Sequence, residues 1–165
     1  MTLATHAITG AAIATLMPTH PVAAFAAGFA SHFVIDAIPH YDYPIFSESI
    51  HPKKKDSAIR LDRKLSIDAI DFSVDAVIGI AVAIYFFVSP TSLITILAGA
   101  IGGILPDPLQ VVAKKFPYEP LRSLQRFHQW IHTSYRLRES KQLVLGVVSQ
   151  LLFIVLVIAT AKTLL

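Results

Sequence analysis

Six ionisable residues, His6, His32, Asp36, Asp71, Asp75 and Asp107, lie inside or at the ends of apolar stretches. An ionisable side chain exposed to lipid is costly, so residues of this kind mark a functional site by default. The stretches define five candidate spans, about residues 3–17, 21–38, 67–88, 91–113 and 143–162. Charged residues make up 15% of the chain and hydrophobic residues 54%, with a mean hydropathy of +0.60. A soluble domain carries nearer 25% charge. The expected fold is therefore all-α: a polytopic membrane bundle of about five transmembrane helices plus one cytoplasmic interfacial helix. With 165 residues the chain is read as a single integral membrane domain, 1–165. Residues 1–17 are read as a retained first helix, because they lack the early basic residues of a signal peptide.

The first two stretches sit at or below the roughly 20 apolar residues that a span needs. They are rich in alanine and glycine, which lets membrane helices approach closely. The tight link Met17-Pro-Thr-His-Pro21 predicts an antiparallel hairpin. A weak internal repeat relates hairpins 3–38 and 67–113. His6-Ala-Ile-Thr-Gly10 matches Asp75-Ala-Val-Ile-Gly79, and the Gly28–Asp36 spacing matches Gly99–Asp107.

Basic residues set the orientation. Lys53, Lys54, Lys55, Arg60, Arg63 and Lys64 fall between spans two and three. Lys114, Lys115, Arg122, Arg126, Arg136, Arg138 and Lys141 fall between spans four and five, leaving only Lys162 elsewhere. The positive-inside rule makes that side cytoplasmic, with the N-terminus inside. All six ionisable positions then gather at the cytoplasmic face.

The residue types are those that bind metals. No cysteine is present, so any transition metal is held by imidazole and carboxylate. His32 and Asp36, at i and i+4, share a helix face and can act as paired ligands; a hydrogen-bonded link between helices is the alternative. His6 lies opposite the end of span two. Asp75 matches it in the repeat and lies deeper than Asp71. Asp107 follows Leu105-Pro106, where prolines predict a non-helical turn lining a site; a plain helix stop is the alternative. His40 lies four residues beyond Asp36 but across Pro39, Asp42 reads as a turn residue, and Asp68 reads as interfacial. His20 and His51 read as loop residues.

His128 and His132 form a second i, i+4 pair on a segment where Leu121, Leu124, Phe127, Trp130 and Ile131 alternate with Arg122, Arg126 and Arg136. That pattern predicts an interfacial amphipathic helix. It can lid the bundle and supply two imidazoles, or be a plain surface helix. The metal-ligand set is thus His6, His32, Asp36, Asp75, Asp107, His128 and His132, with Asp36 or Asp75 as general base if not a ligand. It exceeds one Zn site and would suffice for two ions. Zn is the first expectation and Mn or Mg the alternatives, as one or two ions. Arg122, Arg126 and Arg136 are placed to bind a phosphate.

These motifs resemble the YdjM-type membrane-bound metal-dependent hydrolases of bacterial inner membranes. The matching pieces are the early His6, the segment Gly28-Phe-Ala-Ser31-His32-Phe-Val-Ile-Asp36, the turn Leu105-Pro106-Asp107 and the His-rich stretch from His128 to Ser134. The chain departs from the family pattern in continuing Pro108-Leu109-Gln110 and in spacing its histidines by four, as a distant or rearranged relative would. The resemblance implies an inner-membrane, metal-dependent hydrolase. Headgroup depth and basic neighbours suggest a phosphorylated lipid or phosphodiester as substrate, with membrane lipid as partner. Two other readings remain: a non-enzymatic membrane scaffold with a structural metal site, and a metal or proton transporter. The outer halves of the spans carry no ionisable residue, which argues against transport. No nucleic-acid motif is present; the Lys53–Lys55 run fits contact with anionic lipid. A reporter fused after Lys55 or after Arg122 is expected to score as cytoplasmic, and one in the 88–91 link as periplasmic. The reverse pattern would put the whole constellation on the outer face.

Overall fold

A computed structural model describes residues 1–40, 42, 44–48, 50, 59, 62–89, 92–132 and 140–164, with backbone only for 140–143. Among these residues the chain is helical throughout, with seven helices and no strand. They are α1 (Leu3–Ala14), α2 (Pro21–Asp36), α3 (Arg63–Phe87), α4 (Leu93–Ile104), α5 (Pro106–Lys115), α6 (Leu121–Ile131) and α7 (Ser140–Leu164).

α1 is the centre of the bundle. Eleven of its twelve residues are buried, because α2, α3, α4 and α7 all pack against it. A helix apolar on every side needs neighbours on every side. The closest packing is among α1, α2 and α4, where glycines remove the side chains that would hold backbones apart. A Cβ on Gly10 or on Gly28 would collide with the Gly99 carbonyl oxygen, and one on Gly103 would collide with the His6 carbonyl oxygen. Gly79 lets α3 approach α1 in the same way, at Ala4. α1 and α2 run antiparallel, since His6 meets Asp36 while Gly10 meets Gly28.

Two helices are long and apolar enough to cross a membrane: α3 and residues Val144–Leu164 of α7. α4 and α5 qualify together as a third if the pair, bent by 48°, is one span. The expectation of five spans is therefore too high by length. At 1.5 Å per residue α1 reaches roughly 18 Å and α2 roughly 24 Å, short of a hydrocarbon core of about 30 Å. α3 and α7 expose rows of apolar side chains, Val74, Val77 and Ile78 on one, Leu151, Leu152, Val155 and Leu156 on the other. Large exposed apolar faces of this kind fit membrane association.

The turn expected at Pro106 is instead a bend between two helices. Pro106 takes the first position of α5, where its missing N–H costs nothing and its fixed φ suits the helix. Asp107 sits in the first turn of α5, where the helix dipole favours a carboxylate. Replacing Gly99 by leucine is expected to destabilise the bundle by about 3 kcal/mol or more, the upper range for overpacking, because the Gly10 backbone and the Ala14 side chain already fill that space. Ile101→Val, on the exposed side of the same helix, is expected to change stability by less than about 0.5 kcal/mol. Thermal unfolding in detergent measures both, and a wild-type melt for Gly99→Leu would refute the backbone contact.

Candidate metal centre

α4 orients the first imidazole. Its packing against α2 brings the Gly103 carbonyl within 2.8 Å of His32 Nδ1. A carbonyl only accepts, so Nδ1 carries the proton, and a neutral His32 keeps a lone pair on Nε2. That lone pair points into a cluster of electron-rich atoms. Asp36 Oδ2 lies 3.2 Å away, His128 Nε2 3.2 Å and Asp107 Oδ1 3.7 Å. His128 Nε2 is in turn 3.1 Å from Asp36 Oδ2. Fixing the tautomer from behind while the other nitrogen faces inward is how metal-binding histidines are held.

His32, Asp36, Asp107 and His128 form one group able to hold a metal ion, their ligand atoms all within 4.8 Å of one another. Asp36, His40 and His132 form a second group that shares Asp36. His40 repeats the logic of His32: its Nδ1 donates to the Ile38 carbonyl at 2.6 Å, and its Nε2 lies 2.9 Å from Asp42 Oδ1. Burial works against charge on Asp42, yet the His40 hydrogen bond and the nearby Met1 ammonium hold its carboxyl below the usual carboxylate range.

The donor set fits a cation on a further observation. His6 is fully buried, and neither of its ring nitrogens makes a hydrogen bond among the described residues. Its Nε2 lies 3.1 Å from Asp36 Oδ1 but outside hydrogen-bond geometry, and its ring stacks on His32 with centroids 3.9 Å apart. A buried polar atom left unmatched is unusual and asks for an explanation such as an ion. Among the described residues the Met1 amino group brings a positive charge to Asp36, 2.8 Å from Oδ1.

α6 closes the site. Phe33 meets both Phe127 and His128 edge-on, at 5.1 and 5.3 Å between centroids, and this packing seats His128 against α2. Gln110 is a further positioning residue. Its Nε2–H donates to Asp107 Oδ1 at 2.9 Å, and its Oε1 accepts from Gln125 of α6 at 3.2 Å. Trp130, 78% exposed, stands on the outer side of α6, as an interfacial helix requires.

Six of the seven expected ligands are brought close to one another or to Asp36; Asp75 stands apart. Its Oδ2 accepts the Ala4 N–H at 2.7 Å, satisfying an otherwise unpaired donor in the first turn of α1. Asp36 is enclosed by imidazoles and suited to be a ligand. Asp71 is exposed on α3. Of the three arginines expected to bind phosphate, the two that are described, Arg122 and Arg126, are exposed. Arg126 precedes His128 by two residues, which at ~100° per residue points it away from the site; it is 66% exposed and pairs with Glu119 at 3.4 Å. Arg122 is exposed as well, and Arg136 and His51 lie outside the described residues.

Three residues carry more than their sequence positions imply. His40 follows Asp36 by four, a legible spacing disguised by Pro39. Asp42 reads as a turn residue yet meets His40. Asp68 reads as interfacial yet is buried, accepting the Phe46 and Ser47 N–H groups at 3.0 and 2.8 Å, and so ties the segment after α2 to α3.

Fold and site together define an all-helical protein with membrane-compatible helices and a buried His/Asp group that can hold a metal ion. Compared with known proteins, the chain matches no family model, no curated protein and no solved structure. His32→Ala or Asp36→Ala is expected to remove most of a bound divalent ion, as read by elemental analysis of purified protein. Asp75→Ala is expected to keep the ion and lower the melting temperature. Full retention in both of the first two variants would make the pair a structural hydrogen bond.

Proposed function

We propose that this protein is a metal-dependent hydrolase of a bacterial-type inner membrane, acting at the cytoplasmic leaflet on a phosphorylated lipid or phosphodiester. The observation that carries the reading is the convergence of His32, Asp36, Asp107 and His128 at one end of an apolar bundle. A divalent ion held there, Zn by donor type, would lower the pKa of a water and polarise a phosphoryl bond. The chain's own residues do the rest. His32 and His128 turn their Nε2 atoms toward the group, Asp36 supplies the compensating charge, and the Gln110 amide fixes the Asp107 carboxylate. Asp107 is 29% exposed while the other three are almost fully buried, so water and substrate reach the group from its side. The basic residues of the loops put this face at the cytoplasmic headgroups, and the motif resemblance to YdjM-type hydrolases points to the same class.

The burial of His6, His32, Asp36 and His128 favours one other reading, a closed structural metal site in a membrane scaffold. A catalytic site keeps an open coordination position and a structural site does not. Chelation decides between them. For the hydrolase, a chelator is expected to abolish turnover of a phosphorylated lipid in detergent micelles while the helical circular dichroism signal persists. If removing the ion only unfolds the bundle, with no turnover beforehand, the scaffold reading replaces hydrolysis.

A further inference from the structure

We propose that the centre is binuclear. The Asp36 carboxylate bridges two divalent ions, one held by His32, Asp107 and His128, the other by His40, Asp42 and His132. This deepens the metal-centre reading above and rests on it.

The two oxygens of Asp36 face different partners. Oδ2 lies 3.2 Å from His32 Nε2 and 3.1 Å from His128 Nε2. Oδ1 lies 3.1 Å from His6 Nε2 and 3.8 Å from His40 Nε2. His132 Nε2 approaches Oδ2 at 3.8 Å and so sits between the two groups. Asp42 completes the second group with one oxygen toward each imidazole: Oδ1 is 2.9 Å from His40 Nε2, and Oδ2 is 3.9 Å from His132 Nε2.

Two features give the second group the chemistry of a metal site. His40 Nδ1 is fixed as a donor by the Ile38 carbonyl, so a neutral ring leaves its Nε2 a lone pair facing two carboxylates. His40 is 1% exposed and Asp36 1%, and two acidic groups this close, one so deeply buried, need a cation between them. The Met1 amino group lies 2.8 Å from Asp36 Oδ1 and 3.4 Å from Asp42 Oδ1, in the place the second ion would take. A pair of ions is an arrangement that can clamp both the attacking and leaving oxygens of a phosphoryl transfer, which agrees with a phosphate ester as substrate.

The test uses Mn(II) as the probe, bound to the full-length chain in detergent, with metal counted by elemental analysis and read by electron paramagnetic resonance. The wild type is expected to hold about two ions per chain with an exchange-coupled spectrum, since a shared carboxylate links the spins in a two-metal site. His40→Ala is expected to hold about one ion, with the uncoupled six-line Mn(II) signal. Asp42→Asn is isosteric and carries the same expectation if His40→Ala fails to fold. About one ion in the wild type, unchanged in both variants, overturns the second subsite and leaves the first intact. No ion in the wild type overturns both readings. Loss of all metal in folded His40→Ala or Asp42→Asn overturns the two-site arrangement in favour of a single shared site.

Discussion

At Gly10, Gly28, Gly99 and Gly103 three helices approach until backbone meets backbone, and everything at the site follows from that approach. Any Cβ at these positions would push α4 away from α1 or α2. With α4 displaced, the Gly103 carbonyl would no longer reach His32 Nδ1, and the imidazole would lose the hydrogen bond that selects its tautomer. Packing of small residues thus decides which nitrogen is available to a ligand. The glycines contribute to function without touching the site.

The second constraint is electrostatic. Asp36 is buried among His6, His32, His128 and, slightly farther off, His40 and His132. Removing a carboxylate from water costs several kcal/mol even after relaxation, and neutral imidazoles repay it only through their single donors. His32 and His40 already spend theirs on backbone carbonyls. The Met1 amino group and His128 meet Asp36 directly, and a metal ion would in addition satisfy the unmatched nitrogens of His6. Polar clusters of this kind are retained in apolar bundles for what they bind rather than for stability.

The bend at Leu105 and the docking of α6 give the centre its shape. Because α5 restarts at Pro106, Asp107 emerges in a first helical turn directed at the cluster, and Gln110 one turn later both braces it and meets α6 through Gln125. α6 then carries His128 inward and Trp130 outward.

Helix type and the His32–Asp36 pair are legible in the chain itself, because they depend on local periodicity. Apolar runs, the i, i+4 spacing of His32 and Asp36, and that of His128 and His132, each state a helical face without reference to anything distant. The amphipathic stretch that became α6 is legible for the same reason. What could not be read this way depends on contacts across the fold. Asp75 and Asp107 are alike in sequence, each an acid in an apolar stretch, yet one meets the Ala4 N–H and the other a histidine cluster. His40 and Asp42 join Asp36 only because the chain turns back after Pro39. Arg126 looks placed for a phosphate until the angular position of His128 sets the inward side of α6. Sequence alone determined an apolar helical chain with metal-type residues gathered at one end. Tertiary structure decided which residues share a site, because that choice is made by the backbone contacts of α1, α2 and α4, tens of residues apart along the chain.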